Sequence, residues 1–145
     1  MKILHVITGL QAGGAERMLF NLVTRMDSRF NSHVVSLGSE GAYGEKFRAA
    51  GIPATCLGML PGRPSFTGLT KLVRTSLAFR PDIVQGWMYH GNLAGCLIPR
   101  RRAKTKLLWN IRQTLYSMAY EKTGTAMVIK AGAKLSGITT SIIYN

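Results

Sequence analysis

Acidic residues are scarce in this sequence: six in 145, against 19 lysines and arginines, for a formal charge of +13. Such an imbalance points to polyanionic partners, whether nucleic acid, an anionic membrane surface or phosphorylated substrates. Composition does not choose among them. Cysteine is equally sparse. Cys56 and Cys96 stand far apart, with no C-x-x-C pair and no histidine at zinc spacing. That argues against a disulfide scaffold or a zinc module and leaves two small buried hydrophobes of a reducing compartment. No apolar run approaches the roughly 20 residues that a bilayer crossing needs. Lys2 ahead of Ile3 to Leu10 has the outline of a secretory leader. His5 and Thr8 interrupt that run, however, and a helix start follows it where a cleavage site would stand. A cytoplasmic chain is expected.

What is present fits one globular domain, with 46% hydrophobic residues in a length able to bury a core. The charge is lopsided. Residues 1–62 hold six basic and four acidic side chains, whereas the remainder holds 13 basic ones against Asp82 and Glu121. Apolar runs and helical stripes alternate along the whole chain. Ile3 to Thr8 reads as a buried strand, and Ala15, Met18, Leu19, Leu22, Val23 and Met26 form one helical stripe behind it. His33 to Leu37 predicts a second strand, Tyr43 to Ala50 a short helix and Ala54 to Leu57 a third, weaker strand. Ser65 is placed to cap a helix running to about Arg80, and Asp82 to Gln85 predicts a fourth strand. A helix over residues 89–99, a strand over Lys106 to Ile111, a helix over Ala126 to Leu135 and a last strand within residues 139–145 complete the series.

This alternation is the pattern of an α/β fold, a doubly wound and mainly parallel sheet of six strands. The last strand has no helix after it, so a piece of a longer chain is expected. Ligands of such sheets bind beyond the carboxyl ends of the strands, which singles out the loops 9–14, 58–65, 86–92 and 112–122.

Gly13 and Gly14 open the first helix, where backbone N–H groups and the helix dipole favour a phosphate. The spacing is not G-x-G-x-x-G, and no acidic residue closes the second strand to meet a ribose. By pattern alone a structural turn and a ligand loop stay equally open. Glu16 suits the dipole of the first turn, and Arg17 is either a solvated charge or a phosphate clamp. In "QGWMYHGN" (85–92), His90 is the one histidine of three that falls in a mouth loop. It is a candidate general base or anion ligand. Trp87 and Tyr89 could stack on a sugar or base or simply pack in the core, and Asn92 belongs to the same segment. "WNIRQT" brings Asn110, Arg112 and Gln113 to the same rim, with Arg112 set to grip a carboxylate or phosphate or to pair with a loop carbonyl. Arg100, Arg101 and Arg102 sit before the fifth strand, at the opposite end of the sheet, and read as a surface patch for membrane or nucleic acid.

"HVITGLQAGGAERML", "DIVQGWMYHGNLAG", "LLWNIRQT" and "ITTSIIYN", in this order, resemble the amino-terminal domain of a family 4 glycosyltransferase with the GT-B fold. The resemblance runs across essentially all 145 residues. It implies a Rossmann-like, acceptor-binding half that faces a second, donor-binding half across a cleft. It further implies transfer from a nucleotide-sugar to a saccharide or lipid-linked acceptor, with retention of anomeric configuration and without a metal or other cofactor. By position it puts Gly13 and Gly14 near the donor diphosphate, His90 near the reacting sugar as the catalytic candidate, and Arg112 on the acceptor side. Arg17, Trp87, Tyr89 and Asn92 complete the expected substrate-binding set. Many relatives carry a histidine directly after the fourth strand, where this chain has Gln85 and Trp87. The donor domain and its paired glutamates lie outside these residues, so the piece is expected to be inactive alone. An association with the inner membrane surface fits the charge. The rival readings are a basic nucleic-acid-binding module, which no nucleic-acid motif supports, and a lone nucleotide-binding domain, which the missing acidic residue disfavours.

Overall fold

A computed structural model describes residues 1–61, 63–99, 105–112 and 123–144. The elements are β1 (Lys2–Ile7), α1 (Gly14–Arg25), β2 (Asn31–Ser36), α2 (Gly41–Ala49), β3 (Ala54–Cys56), α3 (Phe66–Phe79), β4 (Ile83–Trp87), α4 (Met88–Cys96), β5 (Lys106–Ile111), α5 (Thr123–Leu135) and β6 (Ser141–Tyr144). All five strand pairings are parallel, in the order β3-β2-β1-β4-β5-β6. The chain winds outward from β1 to β3, returns through α3, and winds outward the other way from β4. The order reverses between β1 and β4, and beyond their carboxyl ends lies the crevice where ligands of such sheets bind.

Two-residue alternation along the strands divides the core into two layers. Leu4 and Val6 of β1 join Leu72 of α3 and Ala94 of α4 in one cluster. Ile7 joins Leu19 and Val23 of α1, Tyr43 and Phe47 of α2, and Trp87 in the other. Near-continuous burial of the central strands is what helices on both faces demand.

Several local expectations are met residue by residue. β5 occupies the predicted Lys106–Ile111, and Ser65 caps α3, its Oγ accepting from the Gly68 N–H at 3.1 Å. α3 ends at Phe79 and is capped by Arg80, which adopts a left-handed conformation with φ 54° just before Pro81. The fourth strand differs: it runs on to Trp87, and α4 starts at the next residue. Met88, with φ 61°, makes the whole turn by itself. The reversal is possible because Gly86 has no side chain; a Cβ there would overlap Asn92, which α4 folds back onto its own strand. The basic residues Arg100, Arg101 and Arg102 and most of the loop 112–122 lie outside the described residues.

Candidate functional site

Three loops are stitched together at the carboxyl end of the sheet. The Gly38 N–H donates to the Thr8 carbonyl at 3.0 Å, and Gly58 N–H and Met59 N–H donate to the carbonyls of Gly38 and Leu37. Gly41, at φ +54°, approaches the Leu10 carbonyl so closely that a side chain would overlap it. Tyr43 N–H then bonds that same carbonyl at 2.9 Å, and the Gln11 amide donates to Ser39 Oγ at 2.9 Å. The loop after β1 is therefore braced from the side by the loop after β2. Residues 37–40 were missing from the loops singled out above. The signal that could have found them is Gly38, which closes β2 just ahead of α2 as Gly9 closes β1.

The braced segment delivers Gly13 to the start of α1 in an extended conformation, with no side chain to cap the helix. Arg17 N–H donates to the Gly13 carbonyl at 3.0 Å, so the amides of Gly14, Ala15 and Glu16 have no acceptor within the helix. The Glu16 carboxylate folds back over Gly13 and would collide with a Cβ there. It is the carboxylate that complements the positive end of α1. Gly14 is different: its surroundings are open, its φ is not in the left-handed range, and it is exposed. Neither packing nor backbone geometry calls for glycine at that position. Arg17 is exposed one turn further along.

α4 supplies the other wall. Gly91 lies against the carbonyl of Val6, so the first turn of the helix abuts the end of β1. His90, beside it, is half-buried, and burial pushes its pKa below the usual 6.5. At neutral pH the ring is neutral and keeps a lone pair able to accept a proton or hydrogen bond. Tyr89 and Arg112 are half-buried as well, Arg112 directly after β5. Gln113 lies outside the described residues.

Two expected ligand residues are committed to the fold instead. Trp87 is 1% exposed within the core cluster under α1 and α2, and its ring offers no face to a sugar. Asn92 is also buried, and its amide holds the backbone of β5: Oδ1 accepts from Asn110 N–H at 3.3 Å and Nδ2 donates to the Asn110 carbonyl at 3.4 Å. Both are structural. Gln85 is buried beside His5, its strand partner, and its side chain bonds that histidine. Asn110 is more informative: its side-chain Oδ1 is buried and has no hydrogen-bond partner among the described residues. A buried acceptor left unpaired is destabilising, and a ligand N–H or O–H group would relieve it. Among the described residues no three His, Cys, Asp or Glu side chains are grouped as metal ligands.

Residues 12–136 match the family described as Glycosyltransferase Family 4. The chain belongs to glycosyltransferase family 4. This family 4 domain is also similar in fold to HepE of Anabaena, whose crystal structure was determined in complex with UDP-glucose: TM-score 0.71 and 17% identity over 98% of the present chain. A second similar structure is a putative UDP-N-acetylglucosamine 2-epimerase from Listeria monocytogenes, with TM-score 0.54 and 13% identity over 90% of the chain. The domain spans 36% of the length of each of these proteins. Among curated protein sequences none is significantly similar to it. The α/β architecture, with its six parallel strands, is that of a Rossmann-like glycosyltransferase half.

Proposed function

We propose that residues 1–145 form the acceptor-side half of a retaining glycosyltransferase, which moves a sugar from a nucleotide-sugar donor to a saccharide or lipid-linked acceptor. The observation that carries this reading is Gly14. A glycine that neither the fold nor the backbone requires, at the uncapped start of a helix, leaves room for a ligand to reach the main-chain amides. The diphosphate of a nucleotide-sugar is a ligand of that kind, and UDP-glucose is the ligand held by HepE. As the bond from the anomeric carbon to the phosphate oxygen breaks, charge grows on the departing diphosphate. The amides at the start of α1 and the guanidinium of Arg17 are suited to stabilise it. Neutral His90 accepts a hydrogen bond from a hydroxyl at the reacting centre, and Arg112 with the unpaired Asn110 oxygen serves the acceptor. No metal is required for these roles. A second domain supplies the remaining donor contacts, and this half alone is inactive.

The strong positive charge after residue 62 favours an anionic membrane surface as the place where a lipid-linked acceptor is met. The test is transfer from UDP-glucose and other nucleotide-sugars, assayed for the enzyme carrying its donor domain and for residues 1–145 alone. We expect product of retained configuration from the first and none from the second. Transfer with inversion, equal turnover by the isolated half, or no transfer from any nucleotide-sugar would overturn the reading.

A further inference from the structure

Two of the most exposed large hydrophobic side chains lie close together in sequence, on the segment that joins β3 to α3. Leu60 is 65% exposed and Phe66 81%. Between them Arg63 N–H donates to the Leu60 carbonyl at 3.0 Å, and Pro61 and Pro64 are exposed. The base of the segment is firm. Met59 fills the notch left by Gly68 on the first turn of α3, and Lys71 Nζ donates to the Cys56 carbonyl at 2.8 Å.

The same surface continues along α3. At about 100° per residue, Phe66, Leu77, Arg74 and Lys71 fall within a single arc of roughly 140°. All four are exposed, while Gly68, Leu72 and Ser76 on the opposite side are buried. Its charge is of one sign. From Lys46 to Pro81 the sequence contains no aspartate or glutamate, and Arg63, Lys71 and Arg74 all belong to this stretch. Among the described residues the ion pairs are Arg29–Asp27 and Arg48–Glu40, and neither uses these three cations. Apolar tips standing among unopposed cations are the chemistry of an interfacial membrane contact: the tips enter the acyl boundary and the cations meet anionic headgroups.

We propose that the β3–α3 segment and the outer face of α3 form the membrane-docking surface of this domain, with Leu60 and Phe66 inserted into an anionic lipid surface. Its position gives the contact a direction. The segment begins at Gly58 and Met59, which are hydrogen-bonded to Gly38 and Leu37, and Gly38 is bonded to Thr8 at the start of the glycine loop. A domain seated through Leu60 and Phe66 therefore holds the open end of its sheet beside the headgroups. An acceptor anchored in the bilayer would then reach the site without leaving the membrane. The proposal deepens the membrane-facing part of the reading above by naming the surface. Vesicle binding is read without substrate, so its failure would leave the sugar-transfer reading standing.

The experiment is co-sedimentation of the intact protein with vesicles of phosphatidylcholine alone or with phosphatidylglycerol. Binding is expected only to the anionic vesicles. Leu60→Ser and Phe66→Ser should each weaken it about tenfold through lost apolar burial, and Arg63→Gln or Arg74→Gln about fivefold. Phe66→Trp gives a second readout that needs no loss of binding. Its fluorescence should be quenched by brominated acyl chains in anionic vesicles, against a background from the buried Trp87 and Trp109. Any of three outcomes would overturn the proposal: unchanged binding by the Leu60→Ser and Phe66→Ser variants, an unquenched Trp at position 66 in bound protein, or tight binding to a random oligonucleotide with none to anionic vesicles.

Discussion

The indole N–H of Trp87 donates to Nδ1 of His5 at 3.3 Å, joining residues 82 apart in sequence through the pairing of β4 with β1. The bond fixes the tautomer: with Nδ1 accepting, the proton sits on Nε2, which faces Ser32 Oγ at 3.4 Å. His5 is fully buried, and desolvation pushes its pKa down to about 4, against the opposing effect of a hydrogen bond to Gln85. The folded state therefore binds the proton less readily than the unfolded chain, whose histidine titrates near 6.5. The neutral form's stabilisation is complete above pH 6.5 and is lost as the pH falls from there towards 4. The loss amounts to roughly 3 kcal/mol, at about 1.4 kcal/mol per pH unit. Urea titrations at pH 7.5 and 5 should show about 2 kcal/mol of it, and His5→Gln, which keeps a polar partner for Trp87, should flatten the dependence. An equally steep dependence in the variant would assign it elsewhere.

Gly14 separates stability from function. Gly14→Ala meets open space and a compatible backbone, so it should leave the melting temperature unchanged or raise stability by about 0.5–1 kcal/mol. In the intact enzyme the same methyl should raise the KM for the nucleotide-sugar, and Gly14→Val should lower turnover tenfold or more. Unaltered kinetics in both would return Gly14 to a plain turn.

His90→Ala and Arg112→Ala should each reduce kcat by an order of magnitude or more in the intact enzyme with little change in thermal stability. The downward shift of the His90 pKa adds a signature in pH. The acid limb of kcat/KM should lie below 6.5 and disappear in His90→Ala. A wild-type pH profile in that variant would remove His90 from the chemistry.

Asn92→Ala makes the opposite separation. It strips both hydrogen bonds from the buried backbone of Asn110, and should cost about 1–3 kcal/mol in chemical denaturation. Turnover per folded molecule should stay near wild type. Asn110→Leu, by contrast, removes an acceptor that has no partner among the described residues, so stability should hold while the KM for the acceptor rises.

What was legible in the sequence was local. Ser65 three residues before Gly68, and an apolar run from Lys106 to Ile111, carry their meaning within a few residues. The end of β4 does not. In sequence the strand stops at Gln85, and Gly86 and Trp87 look like the start of a mouth loop. Their burial depends on His5 across the sheet and on α4 folding down into the space above Gly86. The role of Asn92 depends on the same notch, and that of residues 37–40 on strand order, which no short window contains.

Met88 leaves no slack between β4 and α4. The ends of β1 and β2 at this rim pass through several residues before their helices begin, 8 to 13 and 37 to 40, and such stretches tolerate changes of length far better than a strand or helix does. Here a strand hands directly to a helix through one left-handed residue, and Gly86 and Gly91 hold the helix against the sheet on either side of the turn. An inserted residue would rotate all of α4 by about 100° and carry His90 off the rim. Descendants of this chain that change their ligands are thus constrained to do so by exchanging side chains at positions 88–90, or by growing the neighbouring loops. Among the described junctions of the mouth, this is the one whose length is pinned by the elements on both sides.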